Sequence, residues 1–334
     1  MFSSLSGERV HGGAHGARIR SRALRASRNI VRGLASLALV CLIACDAGDA
    51  GRDATPSARP PIVVTDDAGR AVALDSPAAR IISLVPAQTD VLLALGARDR
   101  LIARTAFDTQ PELAALPSTG NALTPNIEWI AAQQPDLVVS WADAQSRSVV
   151  ARLSELGIAT YASAVETLAD IEASVQRLGT LTGRTQAADS IVRAMRAERA
   201  AIERAVARRP RPRVFYIIGL DPTMAAGPGT FVHEALQVAG GENVFADASS
   251  RWPLVSMEEV VQRDPEVIVL GIAATDAAAD SLIARLRTQP GWRELSAFRT
   301  ARVHRVDPSV FNRPAPSVTQ AMRTLADLFH PERE

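Results

Sequence analysis

Few side chains in this sequence have the type and company needed to make or break covalent bonds. A hydrolase holds a nucleophile against a base, yet no Gly-x-Ser-x-Gly elbow occurs, and neither does a Walker loop nor a dinucleotide-binding glycine pattern. Of the five histidines, His11 and His15 lie in an arginine-rich N-terminal stretch and His330 near the C-terminal end, which leaves His233 and His304 in the body of the chain. Two histidines are too few to close on a bare zinc or manganese ion, so no resident metal and no cofactor are expected. Both are expected to be surface or structural residues, although either is able to touch the metal of a bound chelate. The side chains suit recognition better than catalysis. There are four Trp and two Tyr in 334 residues, and Trp141 and Trp252 both stand in polar loop contexts, where an exposed indole is expected to bind something.

These tryptophans flank an internal repeat. One stretch reads Asn126-Ile127-Glu128-Trp129-Ile130-Ala131-Ala132-Gln133-Gln134-Pro135-Asp136-Leu137-Val138-Val139, and Ser256-Met257-Glu258-Glu259-Val260-Val261-Gln262-Arg263-Asp264-Pro265-Glu266-Val267-Ile268-Val269 follows it at an offset of 130 residues. In each, Asn126 or Ser256 can accept from the orphan amides of a helix start, and Glu128 or Glu258 sits at the positive end of the helix dipole. A proline then stops the helix before a short buried strand. Two copies of one helix-then-strand unit imply two lobes of one architecture.

The rest of the chain fits that division. Candidate strands at 62–65, 71–74, 80–84, 101–104, 137–140 and 158–161 alternate with helices near 89–95, 146–156 and 167–181. In the second half, strands at 214–218, 267–270 and 303–306 alternate with helices near 231–238, 281–286 and 317–329. Such alternation predicts an α/β fold of two similar lobes, each with a mostly parallel sheet covered by helices and with a ligand cleft between them. Residues 185–208 are rich in Ala, Arg and Glu and free of Gly and Pro, which predicts one rigid helix of about 36 Å joining the lobes. The expected domains are an N-terminal lobe over 61–184, a linking helix over 185–209 and a C-terminal lobe over 210–330.

Charge is divided unevenly. Residues 1–44 carry seven Arg against Glu8, a net of +6, so the remainder stands at −5 in a chain whose total is +1. All basic residues are arginine. An acidic body has no electrostatic footprint for a phosphate backbone, so nucleic acid is not an expected partner. The arginines precede an apolar run of about 11 residues, 34–44, of signal-peptide length and too short to span a bilayer. It ends in Leu42-Ile43-Ala44-Cys45, which resembles the lipobox of bacterial lipoproteins. That resemblance implies a signal peptide over 1–44, lipidation of Cys45, a flexible tether over 45–60 and a protein held to the membrane by its lipid alone, at the periplasmic face of the inner membrane or the outer face of the cell membrane.

Several stretches together resemble the helical-backbone periplasmic binding proteins of ABC importers, and among these the vitamin B12 binding proteins: Arg80-Ile81-Ile82-Ser83-Leu84-Val85-Pro86-Ala87-Gln88-Thr89-Asp90, residues 126–141, Gly240-Gly241-Glu242-Asn243-Val244-Phe245, Trp252-Pro253-Leu254-Val255-Ser256 and residues 307–316. The resemblance implies a monomeric, non-enzymatic receptor that hands cobalamin, a related corrinoid or another metal chelate such as haem or a ferric siderophore to a permease and ATPase complex. It implies docking of Glu128 and Glu258 on the permease. It also implies ligand contacts from Pro86, Ala87, Thr89, Trp141, Trp252, Asp307 and Phe311, with Phe107 standing where the vitamin B12 binders usually carry a tyrosine. A sensor with the same fold but no transport is the other reading.

Overall fold

The computed structural model describes residues 60–120, 124–273 and 275–331. The leader, Cys45 and nearly all of the tether lie outside the described residues.

The first lobe opens with an antiparallel hairpin of β1 (Ile62–Thr65) and β2 (Ala71–Leu74). At its turn the Asp66 carboxylate accepts the amides of Ala68 and Arg70 and pairs with the Arg70 guanidinium at 2.6 Å. The lobe's main sheet follows, with β3 (Ile81–Ser83), β4 (Leu101–Ala103), β5 (Leu137–Trp141) and β6 (Thr160–Ser163) in the order β4-β3-β5-β6, all parallel. The connections run through α1 (Pro86–Ala94), α2 (Ile127–Ala132) and α3 (Arg147–Glu155), and α4 (Leu168–Leu181) leads out.

The second lobe repeats the plan. Its strands are β7 (Arg213–Leu220), β8 (Thr223–Ala225), β9 (Glu242–Asn243), β10 (Val267–Leu270) and β11 (Val303–Arg305). They order as β11-β10-β7-β8 with β9 also on β7, and only the β7-β8 pair is antiparallel. The helices are α6 (Phe231–Val238), α7 (Met257–Arg263), α8 (Asp276–Thr288), α9 (Ser296–Arg299), α10 (Pro308–Phe311) and α11 (Val318–Phe329).

The central strands are largely apolar because both faces of each sheet are covered, and β10 is apolar at every position. Leu137 and Val139 of β5 enter one core while Val138 enters another, and in β10 Val267 and Val269 part from Ile268 and Leu270 in the same way.

Between the lobes runs α5 (Thr185–Val206), 22 residues and about 33 Å long at 1.5 Å per residue. It stops just short of Pro210. Its Ala188 and Val192 pack in the first lobe's core, its Met195 and Ile202 in the second's, so one helix is nailed into both. Leu168 and Ile171 of α4 also enter the second core, and the Glu234 carboxylate of α6 accepts the Leu168 amide at 2.7 Å.

The internal repeat goes deeper than its sequence. Both α2 and α7 are followed by a residue with positive φ, Gln134 at 49° and Asp264 at 36°, directly before the proline. The acid after each proline then reaches back to the preceding strand: the Asp136 carboxylate accepts the Ala79 and Arg80 amides at 2.8 Å, and Glu266 accepts the Arg213 amide at 2.8 Å. The two arginines return the gesture. Arg80 donates to the carbonyls of Gln133 and Gln134, and Arg213 to that of Arg263, so each guanidinium caps the C-terminal end of its lobe's short helix. Each six- or seven-residue helix, too short to be stable alone, is thereby stapled to a sheet.

Candidate ligand-binding cleft

A cavity of about 580 Å³ opens between the lobes. The first lobe contributes Pro86 and Ala87 from the start of α1, Ala106, Phe107 and Thr109 from the loop after β4, and Trp141 from the end of β5. Facing them are Pro308 and Ser309 of α10, then Asn312, Arg313 and Pro314, with Ala273 from the loop after β10. These are loops at the C-terminal ends of parallel strands, where open α/β sheets present their ligands. The walls are apolar with a few convergent polar groups, as small-molecule sites are built.

Backbone rules place these side chains. Pro86 is the first residue of α1 and Pro308 of α10, positions where a proline costs no hydrogen bond and its fixed φ suits the helix. Four residues on from each, Asp90 and Asn312 share its face. Asn312 is held from behind: its Oδ1 accepts the buried Tyr216 hydroxyl at 2.7 Å and its Nδ2 donates to the Gly271 carbonyl at 2.6 Å. One N–H and one lone pair of that carboxamide are left over for a ligand. Gly271 is needed there, since a Cβ on it would stand 2.5 Å from the Tyr216 oxygen.

Trp141 is the shared wall of two spaces. On its other side a second cavity of about 710 Å³ lies wholly in the first lobe, bounded by Ala142, Asp143, Arg147 and Val150 and by Arg70 of the hairpin. The indole is half-buried against the first lobe's core, and its Nε1 has no partner among the described residues. Phe107 is the opposite case, 54% exposed at the tip of its loop.

Of the residues expected to meet a ligand, Pro86, Ala87, Phe107 and Trp141 are thus brought to one cavity, and four others are not. Thr89 is 1% exposed, with its hydroxyl turned back onto the Val85 carbonyl one helical turn earlier. Phe311 is 8% exposed and belongs to the second lobe's hydrophobic core. Asp307 caps α10, its carboxylate accepting the amide and hydroxyl of Ser309 at 2.8 and 2.7 Å, and does not line the cavity. Trp252 packs partly buried on the second lobe's core. From the segment that follows β11 it is Ser309, Asn312 and Arg313 that line the cavity, in place of the expected Asp307 and Phe311.

Neither histidine of the body lines the cleft. His233, on α6, has its Nδ1 3.1 Å from the side-chain amide nitrogen of Asn243, and His304 stands in β11; burial lowers the pKa of both. No cluster of three metal-ligating side chains occurs among the described residues. Glu128 and Glu258 are exposed at the second position of α2 and α7. Asn126 caps α2 by accepting the Trp129 amide at 2.9 Å, and Ser256 forms a capping box with Glu259 on α7.

Residues 81–310 match the family model described as periplasmic binding protein. The chain belongs to this family. It is an extracytoplasmic substrate-binding protein rather than an enzyme, and no helix among its described residues is long and apolar enough to cross a membrane. A protein of Halobacterium salinarum named cobalamin-binding protein is 33% identical over 280 residues, covering 81% of this chain and 74% of that one. Among solved structures, the periplasmic vitamin B12 binding protein BtuF of Vibrio cholerae superposes with a TM-score of 0.65 at 29% identity, covering 76% of this chain and 97% of that one. The ABC-type Fe3+-hydroxamate transport protein of Saccharomonospora viridis does so with a TM-score of 0.67 at 28% identity, covering 80% and 99%. The binding protein therefore has the two-lobed, helix-joined architecture read from its sequence.

Proposed function

We propose that this binding protein captures cobalamin or a related corrinoid in the interlobe cleft and delivers it to the permease of an ABC importer. The observation that carries the reading is the make-up of the cleft wall. Trp141 and Phe107 face Pro308 and Pro314 across a gap rimmed by the hydroxyl and amide groups of Thr109, Ser309 and Asn312. A broad flat macrocycle with carboxamides at its edge asks for that pairing of apolar walls and neutral hydrogen-bonding rim. The likeness to a cobalamin-binding and a vitamin B12 binding protein supports the same ligand class. Haem asks for an axial imidazole, thiolate, thioether or phenolate, and no residue lining this cavity supplies one. A ferric hydroxamate is the second reading, supported by the Saccharomonospora viridis likeness.

Calorimetric titration with cyanocobalamin, cobinamide, haemin and a ferric hydroxamate decides between them. We expect saturable one-to-one binding of a corrinoid. Binding of the hydroxamate alone moves the protein to the second reading, and no binding of any of the four removes the ligand class.

The same reading makes Glu128 and Glu258 the permease contacts and the protein a monomer tethered through a lipid on Cys45. Labelled palmitate is expected to enter the wild-type protein and to be absent from Cys45→Ala. Equal labelling of the two would remove the anchor.

A further inference from the structure

Every residue lining the interlobe cavity is formally neutral except Arg313. That guanidinium is already engaged across the cleft. Its Nη1 stands 3.1 Å from the Asp90 carboxylate, and its Nη2 donates to the Phe107 carbonyl at 2.7 Å. Gln110 donates to the other Asp90 oxygen. The two side chains are only 17% and 20% exposed, and they belong to positions 223 residues apart, on different lobes. The other nearby carboxylate, Asp108, is buried and held by the Thr105 amide and hydroxyl, both at 2.7 Å. Arg313 also borders a second interlobe cavity of about 420 Å³, where Asp90 joins it in the lining, so the guanidinium stands between the two spaces with its carboxylate partner on the far side.

We infer that the Asp90–Arg313 pair sets ligand charge: it cancels the one formal charge on the cleft wall and so selects a neutral, carboxamide-bearing ligand over an anionic one of the same size. This rests on the corrinoid reading above and specifies it. The physical ground is the cost of placing a carboxylate in a site sheltered from water with no free cation to meet it. A carboxamide needs only hydrogen-bond partners, which Asn312, Ser309 and Thr109 offer. The geometry puts the cation where a ligand would meet it, and Asp90 is the only carboxylate paired with it among the described residues. Burial holds the Asp90 carboxyl above the usual carboxylate range even beside Arg313, a sign that the pair is substantially withdrawn from water.

The test uses two ligands of matched size, cyanocobalamin and a monocarboxylate derivative in which one side-chain amide is hydrolysed. The reading is the ratio of their dissociation constants at neutral pH. Wild type is expected to favour the amide by about tenfold, the order of a single charge contact. Asp90→Asn frees Arg313 and is expected to bring the ratio to about one or to invert it, and Asp90→Asn with Arg313→Gln to restore the wild-type preference. Should Asp90→Asn give no folded protein, Arg313→Gln decides alone, because the unpaired Asp90 should widen the preference for the amide. A ratio unmoved by whichever variant folds overturns the inference while leaving the corrinoid reading in place. A wild-type protein that binds neither ligand removes both.

Discussion

Cells whose only copy of this protein carries Glu128→Ala together with Glu258→Ala take up no cobalamin, while the purified double variant binds it as tightly as wild type. Uptake of labelled cobalamin and calorimetry on the same protein give the two readings. The expectation rests on what these side chains do not do. Both are exposed, and among the described residues neither makes an ion pair or a side-chain hydrogen bond. Their value to the fold is limited to the helix dipole, about 0.3–1 kcal/mol each. Capping of the helices depends on Asn126 and on Ser256 with Glu259, which the substitutions leave alone. Loss of transport without loss of fold or affinity therefore points to a partner. Removing one acid from a buried charge pair at an interface costs about 2–5 kcal/mol, and two sites on a rigid body reinforce each other through effective concentration. Each single variant is expected to retain part of the uptake. Wild-type uptake by the double variant would end the docking assignment.

Trp141→Ala weakens corrinoid binding by about thirty- to a hundredfold, and Trp141→Phe by much less, in the same titration. The indole walls both the cleft and the second cavity, so it contacts whatever fills either. A buried aromatic covers about 150–250 Å², which at about 25 cal/mol per Å² is several kcal/mol before the costs of association are met. Its truncation also joins the two cavities, leaving a ligand with a wall that no longer fits. Because the ring packs partly on the first lobe's core, some loss of stability accompanies the change. The phenylalanine variant separates the effects: it keeps the packing and most of the aromatic face, and gives up the indole N–H. Equal affinity in wild type and Trp141→Ala would place the ligand elsewhere.

Much of the architecture could be read from the chain because its elements obey local rules. Residues 62–65, 71–74 and 267–270 are strands and 231–238 a helix at the expected bounds. The differences have physical reasons. The helix expected from 89 begins at Pro86, because proline is at home in a first turn. The helix expected over 281–286 runs from 276 to 288, since the alanines before it carry helix propensity without hydrophobic periodicity and Thr275 caps it. Strand β7 continues to Leu220 and folds back through β8, a reversal that no periodicity announced.

The candidate site was less legible. Pro86, Ala87, Phe107 and Trp141 stand out by type and by family likeness, and all four meet in the cleft. Asp90 and Arg313 do not stand out, for they are brought together across the whole chain by the packing of two lobes. Arg80 and Arg213 were hidden for a related reason. Each serves its lobe's repeat from the start of a neighbouring strand, Arg80 just before β3 and Arg213 at the first residue of β7, outside the repeated stretch.

The nailing of α5 into both cores bears on how an importer tells a loaded receptor from an empty one. Swinging the lobes far apart would pull Met195 and Ile202, or Ala188 and Val192, out of apolar surroundings, and would break the seam at Leu168 and Glu234. The loaded and empty molecules are therefore expected to keep nearly the same outline. On the proposed docking through Glu128 and Glu258, a permease that gauges only the spacing of two acidic posts is expected to accept either, so that unloaded copies would compete with loaded ones for the same landing place. Transport at limiting vitamin should then fall, not rise, when this protein is made in large excess.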